Sequence, residues 1–378
     1  MDPARSERLH FLDGLRGWAA VAVLFCHTFI EVFPYDIDVA KRLAFLLPFS
    51  GASAVYAFFV ISGFSLSIGY VRTQDGRDLA RTAVSRYPRL ALPILAATTL
   101  VYLMMISGAI PDAAKRVAPL HLALQFEPSV THVLQFSLFD VFFRFSFETA
   151  YILPLWSMEF ELLGSALIIG LLVIVGRRKM RVLVYGVLYL ILAGFSVFYP
   201  TAGLYSLFVA GMVLAELYVR WRPRRPLHYL LLAGLFCFGC LAPYLASHRP
   251  GIIYHAGIIA FCAASFWLPW LRSLLEVRLS RYLGRISFPL YLVHGPILFS
   301  FSLWALKVLQ PLGFDSSTTN TIVALCTIPI AIGCAAAFEP VNNVAIRTSR
   351  RFGAVLVAQA AKYLRRREPA LGAVVDAA

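Results

Sequence analysis

An arginine and a histidine, Arg16 and His27, interrupt the first apolar stretch of this chain. They are eleven positions apart. Eleven steps of 100° return to within about 20° of the same helix face, roughly 16 Å further along the axis. A fixed cation and an imidazole on one stripe describe a polar track, and imidazole titrates near neutrality, which suits it to accept a proton. Asp13 lies three residues before Arg16 on the same side and could fix its guanidinium. The plainer alternative is an Arg16 that reaches back to a polar boundary and a His27 that packs.

Further along, Phe58-Phe59-Val60-Ile61-Ser62-Gly63-Phe64 sets a hydroxyl beside a glycine that permits close helix packing. Arg86 and Arg89 are three residues apart, a spacing that could grip a phosphate or simply mark an inner loop. Glu159 and Glu161 lie about 160° apart around a helix, so only one can face a helix-lined pocket. They make a poor paired-carboxylate site. In Ser287-Phe288-Pro289-Leu290-Tyr291-Leu292-Val293-His294, Tyr291 and His294 share a face, with functional and structural readings both open.

The elements that must position these groups follow from composition. Of 378 residues, 60% are apolar and 14% charged, against about 25% charged in soluble domains. Too little polar sequence remains to shell a soluble core. The mean hydropathy is +0.74. Apolar runs at about 12–33, 48–70, 90–109, 151–176, 182–199, 201–219, 227–246, 251–271, 286–309 and 321–343 predict an all-α, polytopic membrane protein of about ten spans. Basic clusters set its orientation. With both termini cytoplasmic, 27 of the 34 lysines and arginines fall on the inner side, the expected asymmetry. The other seven are Lys41, Arg42, Lys115, Arg116, Arg144, Arg249 and Lys307.

The net charge of +14 does not indicate nucleic acid, because its basic residues sit in short clusters between apolar runs. All six cysteines lie inside such runs, and Cys237 and Cys240 read as buried, inert thiols rather than a redox or zinc pair. The N-terminus lacks the features of a cleavable signal. The segment 110–150 is expected to hold amphipathic surface helices or a re-entrant cap. The division expected is a transmembrane domain over 1–346 and a basic cytoplasmic tail over 347–378.

The chain resembles the acyltransferase-3 family of integral membrane acyltransferases over nearly its whole length. The Asp-Gly-Leu-Arg-Gly segment with its Arg-x10-His spacing matches Asp13, Gly14, Arg16, Gly17 and His27. The Phe-Phe-Val-x-Ser-Gly-Phe segment falls on Phe58 to Phe64, and the Arg-x-x-Arg loop on Arg86 and Arg89. The Trp-Ser-x(3)-Glu segment is similar to Trp156, Ser157 and Glu161, and the Ser-x-x-x-Tyr-Leu-x-His segment to Ser287, Tyr291, Leu292 and His294. Two positions depart from the pattern: Leu162 replaces the usual second acid, and Glu159 stands where a small or apolar residue is common.

The resemblance implies transfer of an acyl group, commonly acetyl, from cytoplasmic acyl-CoA to a hydroxyl. The acceptor is then a surface or exported glycan, or a small secondary metabolite. It implies His27, Glu161, Arg16 and Asp13 as catalytic residues, and Arg86, Arg89, Ser62, Tyr291 and His294 as substrate-binding ones, without a metal. Arg86 and Arg89 would hold coenzyme A phosphates, Arg16 would line the entrance, and the thioester would approach His27. Ser62, Tyr291 or His294 would supply oxyanion donors. The rival class is a transporter or flippase whose buried charges form a proton or substrate path.

Overall fold

The computed structural model describes residues 9–32, 50–110, 124–246 and 251–375. Among these there are helices and no strand. Helix α1 (His10–Cys26) continues as a π-turn (His27–Val32), and is followed by α2 (Gly51–Thr73) and α3 (Gly76–Ile106). A short apolar helix, α4 (Val130–Phe143), leads to α5 (Leu153–Val175), α6 (Arg181–Phe195), α7 (Pro200–Arg220) and α8 (Pro226–Leu245). The chain ends with α9 (Ile252–Trp267), α10 (Pro269–Glu276), α11 (Arg278–Leu312) and α12 (Ser316–Val375).

Each of the ten predicted runs falls on a helical segment. Among the described residues, seven helices are individually long and apolar enough to cross a membrane, and the pair α9 and α10, bent by 82°, makes an eighth. The remaining two runs are α1 with its π-turn and the shorter α6. The protein is therefore an integral, multi-pass membrane protein. Arg5, Arg8, Lys41, Arg42, Lys115, Arg116 and Arg249, used above to assign sides, lie outside the described residues, as do Pro111 and Pro119 of the 110–150 segment. In that segment α4 buries Val133, Phe136, Val141 and Phe142 and exposes Val130, Leu134, Phe139 and Phe143, so its outer face is largely apolar as well, unlike that of the expected amphipathic surface helix.

Local chemistry accounts for the element boundaries. Ser50 caps α2 by accepting from the Ser53 amide at 3.2 Å. Gln74 ends the helix in a left-handed conformation (φ 54°), and Asp75 starts α3 by accepting from the Arg77 amide at 2.8 Å. At 31 residues, α3 is about 46 Å long and outruns a hydrocarbon core of about 30 Å. Its charged first half packs on the distal part of α12, where Gly353 meets the Arg81 carbonyl. Helix α12 does not break at 346.

Two crossings set the helix arrangement. Helices α2 and α7 meet at Gly63 and Gly211, where a Cβ on either would strike the other helix's backbone, at Phe208 and Val60. Helices α1 and α11 meet in the same way at Gly17 and Gly284. Two apolar cores result. One joins α3, α4, α11 and α12; the other joins α2, α7 and α9, with the start of α1. The seam between them is polar.

The cysteine expectation needs correction. Cys237 is exposed on α8, and Cys326 and Cys334 on α12; Cys262 is buried. Apolar flanks look alike whether a helix face meets protein or lipid, and α8 turns Leu230, Leu231 and Leu241 outward beside Cys237.

Candidate active site

The polar seam opens into a cavity of about 1030 Å³ bordered by α1, α2, α3, α5, α11 and α12. Arg16, Arg86, Arg89, Arg285, Arg347 and Arg350 line it towards one end. Val55, Phe58, Ser157, Met158, Phe288 and Tyr291 line it towards the other. The sequence-derived candidates Asp13, Arg16, Ser62, Arg86, Arg89, Glu161 and Tyr291 all border this one space.

The close α1–α11 contact at Gly17 brings Asp13 and Arg16 onto the cavity wall. Arg16 Nη2 donates to Ser65 Oγ at 2.7 Å, and its Nη1 lies 4.0 Å from Asp13 Oδ1. Asp13 therefore acts on Arg16 as a nearby charge, and the direct hydrogen bond comes from α2.

Of the two glutamates, Glu161 is the one that lines the cavity; Glu159 does not. Glu161 Oε1 accepts from Ser62 Oγ at 2.7 Å and from Arg86 Nη2. Arg86 Nε also donates to Ser165 Oγ at 2.8 Å, and Ser165 in turn donates to the Glu161 carbonyl. Arg86 and Glu161 thus form a largely buried ion pair between α3 and α5. Charge-assisted hydrogen bonds of this kind are short and strong. Arg86 and Arg89 both face the cavity, but Arg86 already has a carboxylate.

His27 and His294 are not on the cavity wall. They lie beyond Tyr291, with ring centroids 5.2 Å apart, and the Tyr291 ring centroid is 6.2 Å from that of His294. His294 is buried, with Nδ1 2.9 Å from the Leu290 carbonyl oxygen. A carbonyl can only accept, so in the neutral ring Nδ1 carries the proton and Nε2 the lone pair. Cys26, next to His27, faces α2 at Gly51 instead.

The Tyr291 hydroxyl donates to the Pro154 carbonyl and contacts Ser157 Oγ at 2.8 Å. It therefore ties α11 to the first turn of α5. Ser62 likewise spends its proton on Glu161. All three expected oxyanion donors are thus already engaged, His294 through its Nδ1–H to the Leu290 carbonyl.

Sequence reasoning missed Arg285, Arg347 and Arg350, which read as topology signals, and Ser65 and Ser165; it had Ser157 in a motif but gave it no role. The signal available for α12 is its spacing: Glu339, Asn343, Ile346, Arg347 and Arg350 fall on one helix stripe, and all line the cavity. Away from this site, Glu216 on α7 is buried and bonded by Arg181 at 2.6 and 3.2 Å and by Arg220 at 2.9 Å. That cluster locks α6 to α7. Among the described residues, no group of three or more His, Cys, Asp or Glu is placed to hold a metal.

Neither curated proteins nor solved structures provide a match. The family model described as "Acyltransferase domain", of the acyltransferase-3 type, matches residues 9–339. With its multi-pass helical fold and all five motif segments inside the matched region, the chain belongs to the acyltransferase-3 family and is a membrane acyltransferase.

Proposed function

We propose that the protein moves an acyl group, commonly acetyl, from acyl-CoA to a hydroxyl of a surface or exported glycan. A small secondary metabolite is the other acceptor class. The observation that carries this reading is a cavity running from six arginines to Tyr291, with an imidazole pair just beyond it. Its volume, about 1030 Å³, is at the upper end of small-molecule sites and suits an elongated ligand. The arginine end accepts the anionic nucleotide of the donor, and the apolar and hydroxyl-lined part accepts its neutral arm.

In this reading the arginine-rich end is cytoplasmic, by the positive-inside asymmetry, and the membrane is the cell membrane. His27 is the base. It removes the proton from the acceptor hydroxyl as the oxygen attacks the thioester carbonyl. The C–O bond forms, the C–S bond breaks, and the imidazolium returns the proton to the departing coenzyme A thiolate. His294, held by the Leu290 carbonyl with its lone pair at Nε2, orients His27 and shares its positive charge. Glu161 acts by holding Arg86 and Ser62, and Asp13 by biasing Arg16. No covalent acyl-enzyme is required.

Purified protein in nanodiscs should consume labelled acetyl-CoA when an acceptor extract is present, and mass spectrometry of the products identifies the acylated hydroxyl. A transporter would leave the thioester intact. His27→Gln should turn over at less than about a tenth of the wild-type rate, the low end for a lost general base, with unchanged Tm. Faster turnover would remove His27 from that role.

A further inference from the structure

The arginine-rich end of the cavity carries more positive charge than its own carboxylates offset. Six guanidinium groups line the space against three carboxylates, Asp13, Glu161 and Glu339. Arg86 is committed to Glu161 and Ser165, and Arg16 is bonded to Ser65 with Asp13 nearby. Glu339 accepts from its own helix, from Asn343 Nδ2 at 3.4 Å. Among the described residues, no carboxylate lies within 4.0 Å of Arg89, Arg285, Arg347 or Arg350. Arg89 borders the same space as Arg86, Arg16 and Arg350, all of its own sign. Four such guanidinium groups around one opening repel one another until an anion joins them, and planar guanidinium forks match phosphate oxygens.

Arg347 and Arg350 continue the α12 stripe that begins at Glu339, and they are exposed at the rim. Both lie past residue 339, where the family match ends. We propose that Arg347 and Arg350 bind the 3′-phosphate of the coenzyme A donor, with Arg89 and Arg285 facing its diphosphate. The last helix, beyond the matched region, then selects a 3′-phosphorylated nucleotide. The inference rests on the acyl-CoA reading above. A terminal phosphate monoester carries a charge of about −1.5 to −2 at neutral pH, which two rim arginines balance. The nucleotide is also the end of the donor that stays outermost when the thioester is deepest.

The test is calorimetry on the full chain in neutral-lipid nanodiscs, with coenzyme A and 3′-dephospho-coenzyme A as titrants. Wild type should prefer coenzyme A by at least about tenfold, and R347Q/R350Q should lose about tenfold for coenzyme A with little change for the dephospho form. R347K/R350K, which keeps the charges, should retain most of the preference. R351Q, an exposed neighbour off the cavity, should change nothing. Thermal unfolding of each variant checks that it is folded.

A folded R347Q/R350Q that discriminates as well as wild type would overturn the proposal and leave the acyl-CoA reading standing. Wild type that binds neither nucleotide and leaves acetyl-CoA intact would overturn that reading, and the proposal with it. Nanodiscs doped with phosphatidylglycerol separate the other source of phosphate. Loss of anionic-lipid retention in R347Q/R350Q, with coenzyme A affinity unchanged, would assign these arginines to a headgroup and overturn the proposal.

Discussion

Replacing Glu161 by glutamine removes the carboxylate that balances Arg86 and keeps the side chain's size. The two side chains are only 12% and 15% exposed, so the stranded guanidinium gains little from water. Breaking a buried ion pair from one side costs about 3–5 kcal/mol. Ser165 still accepts from Arg86, which places the expected loss near the lower bound, about 3 kcal/mol. With an unfolding entropy of about 2.1 cal/mol/K per residue, a 378-residue chain converts this into a fall in Tm of about 4 °C. Arg86→Gln should cost a similar amount by leaving Glu161 with Ser62 alone. The double variant E161Q/R86Q strands neither charge. It should be no less stable than either single variant, a coupling of about 3 kcal/mol. Thermal unfolding of the four proteins in one detergent, followed by tryptophan fluorescence, measures this. A double variant that loses the sum of the single effects would refute the pair as a unit, and with it the reasoning that Arg86 is unavailable to the donor.

Three further outcomes are expected. Gly63→Val would drive a side chain into the Phe208 backbone and should cost about 1–3 kcal/mol through overpacking, read as a lower Tm; an unchanged Tm would contradict the close α2–α7 crossing. In sealed vesicles of known orientation, acetyl-CoA should serve only from the face bearing Arg86, and an impermeant sugar should be acylated only from the other face. Transfer to a sugar confined with the donor would sink the through-membrane route. Finally, Asp315 accepts from the Thr318 amide and hydroxyl at 3.0 and 2.6 Å, which holds its carboxyl below the usual range. The cap is fully present above the ordinary aspartate value of about 3.9 and is lost as pH falls through the lowered one. Amide exchange in the first turn of α12, corrected for intrinsic rates, should therefore quicken on acidification, whereas in Asp315→Asn it should stay flat.

Hydropathy sums over about twenty residues, so the helical segments are legible in the sequence, and so are Arg16 and His27 as polar groups where none should be. Facing is a different matter. Periodicity separates Glu159 from Glu161, but only α2 and α3, bringing Ser62 and Arg86, determine which one is inside. Arg86 and Arg89 look like one grip because they are neighbours in sequence; the partner of Arg86 is 75 positions away, beyond the reach of local spacing. Arg347 and Arg350 read as a tail because the apolar run gives out at about 343, and α12 also holds Pro329, Pro340 and Gly353. Packing against α3 and α11 carries α12 through all three. His27 and His294 meet because α1 and α11 cross where two glycines coincide, which neither segment discloses alone.

That crossing has a mechanical consequence. Gly17 precedes His27 by ten residues, and Gly284 precedes His294 by ten. The helices therefore run parallel from a common fulcrum, with two arms of equal length, each about 15 Å. A change of 10° in their mutual tilt would swing one imidazole by about 2.6 Å relative to the other. A methyl group at Gly17 would act chiefly as a wedge, far from the chemistry, that spreads the rings at the arms' ends. A one-residue insertion in a single arm would turn its imidazole by about 100° and part the pair, whatever its effect on folding.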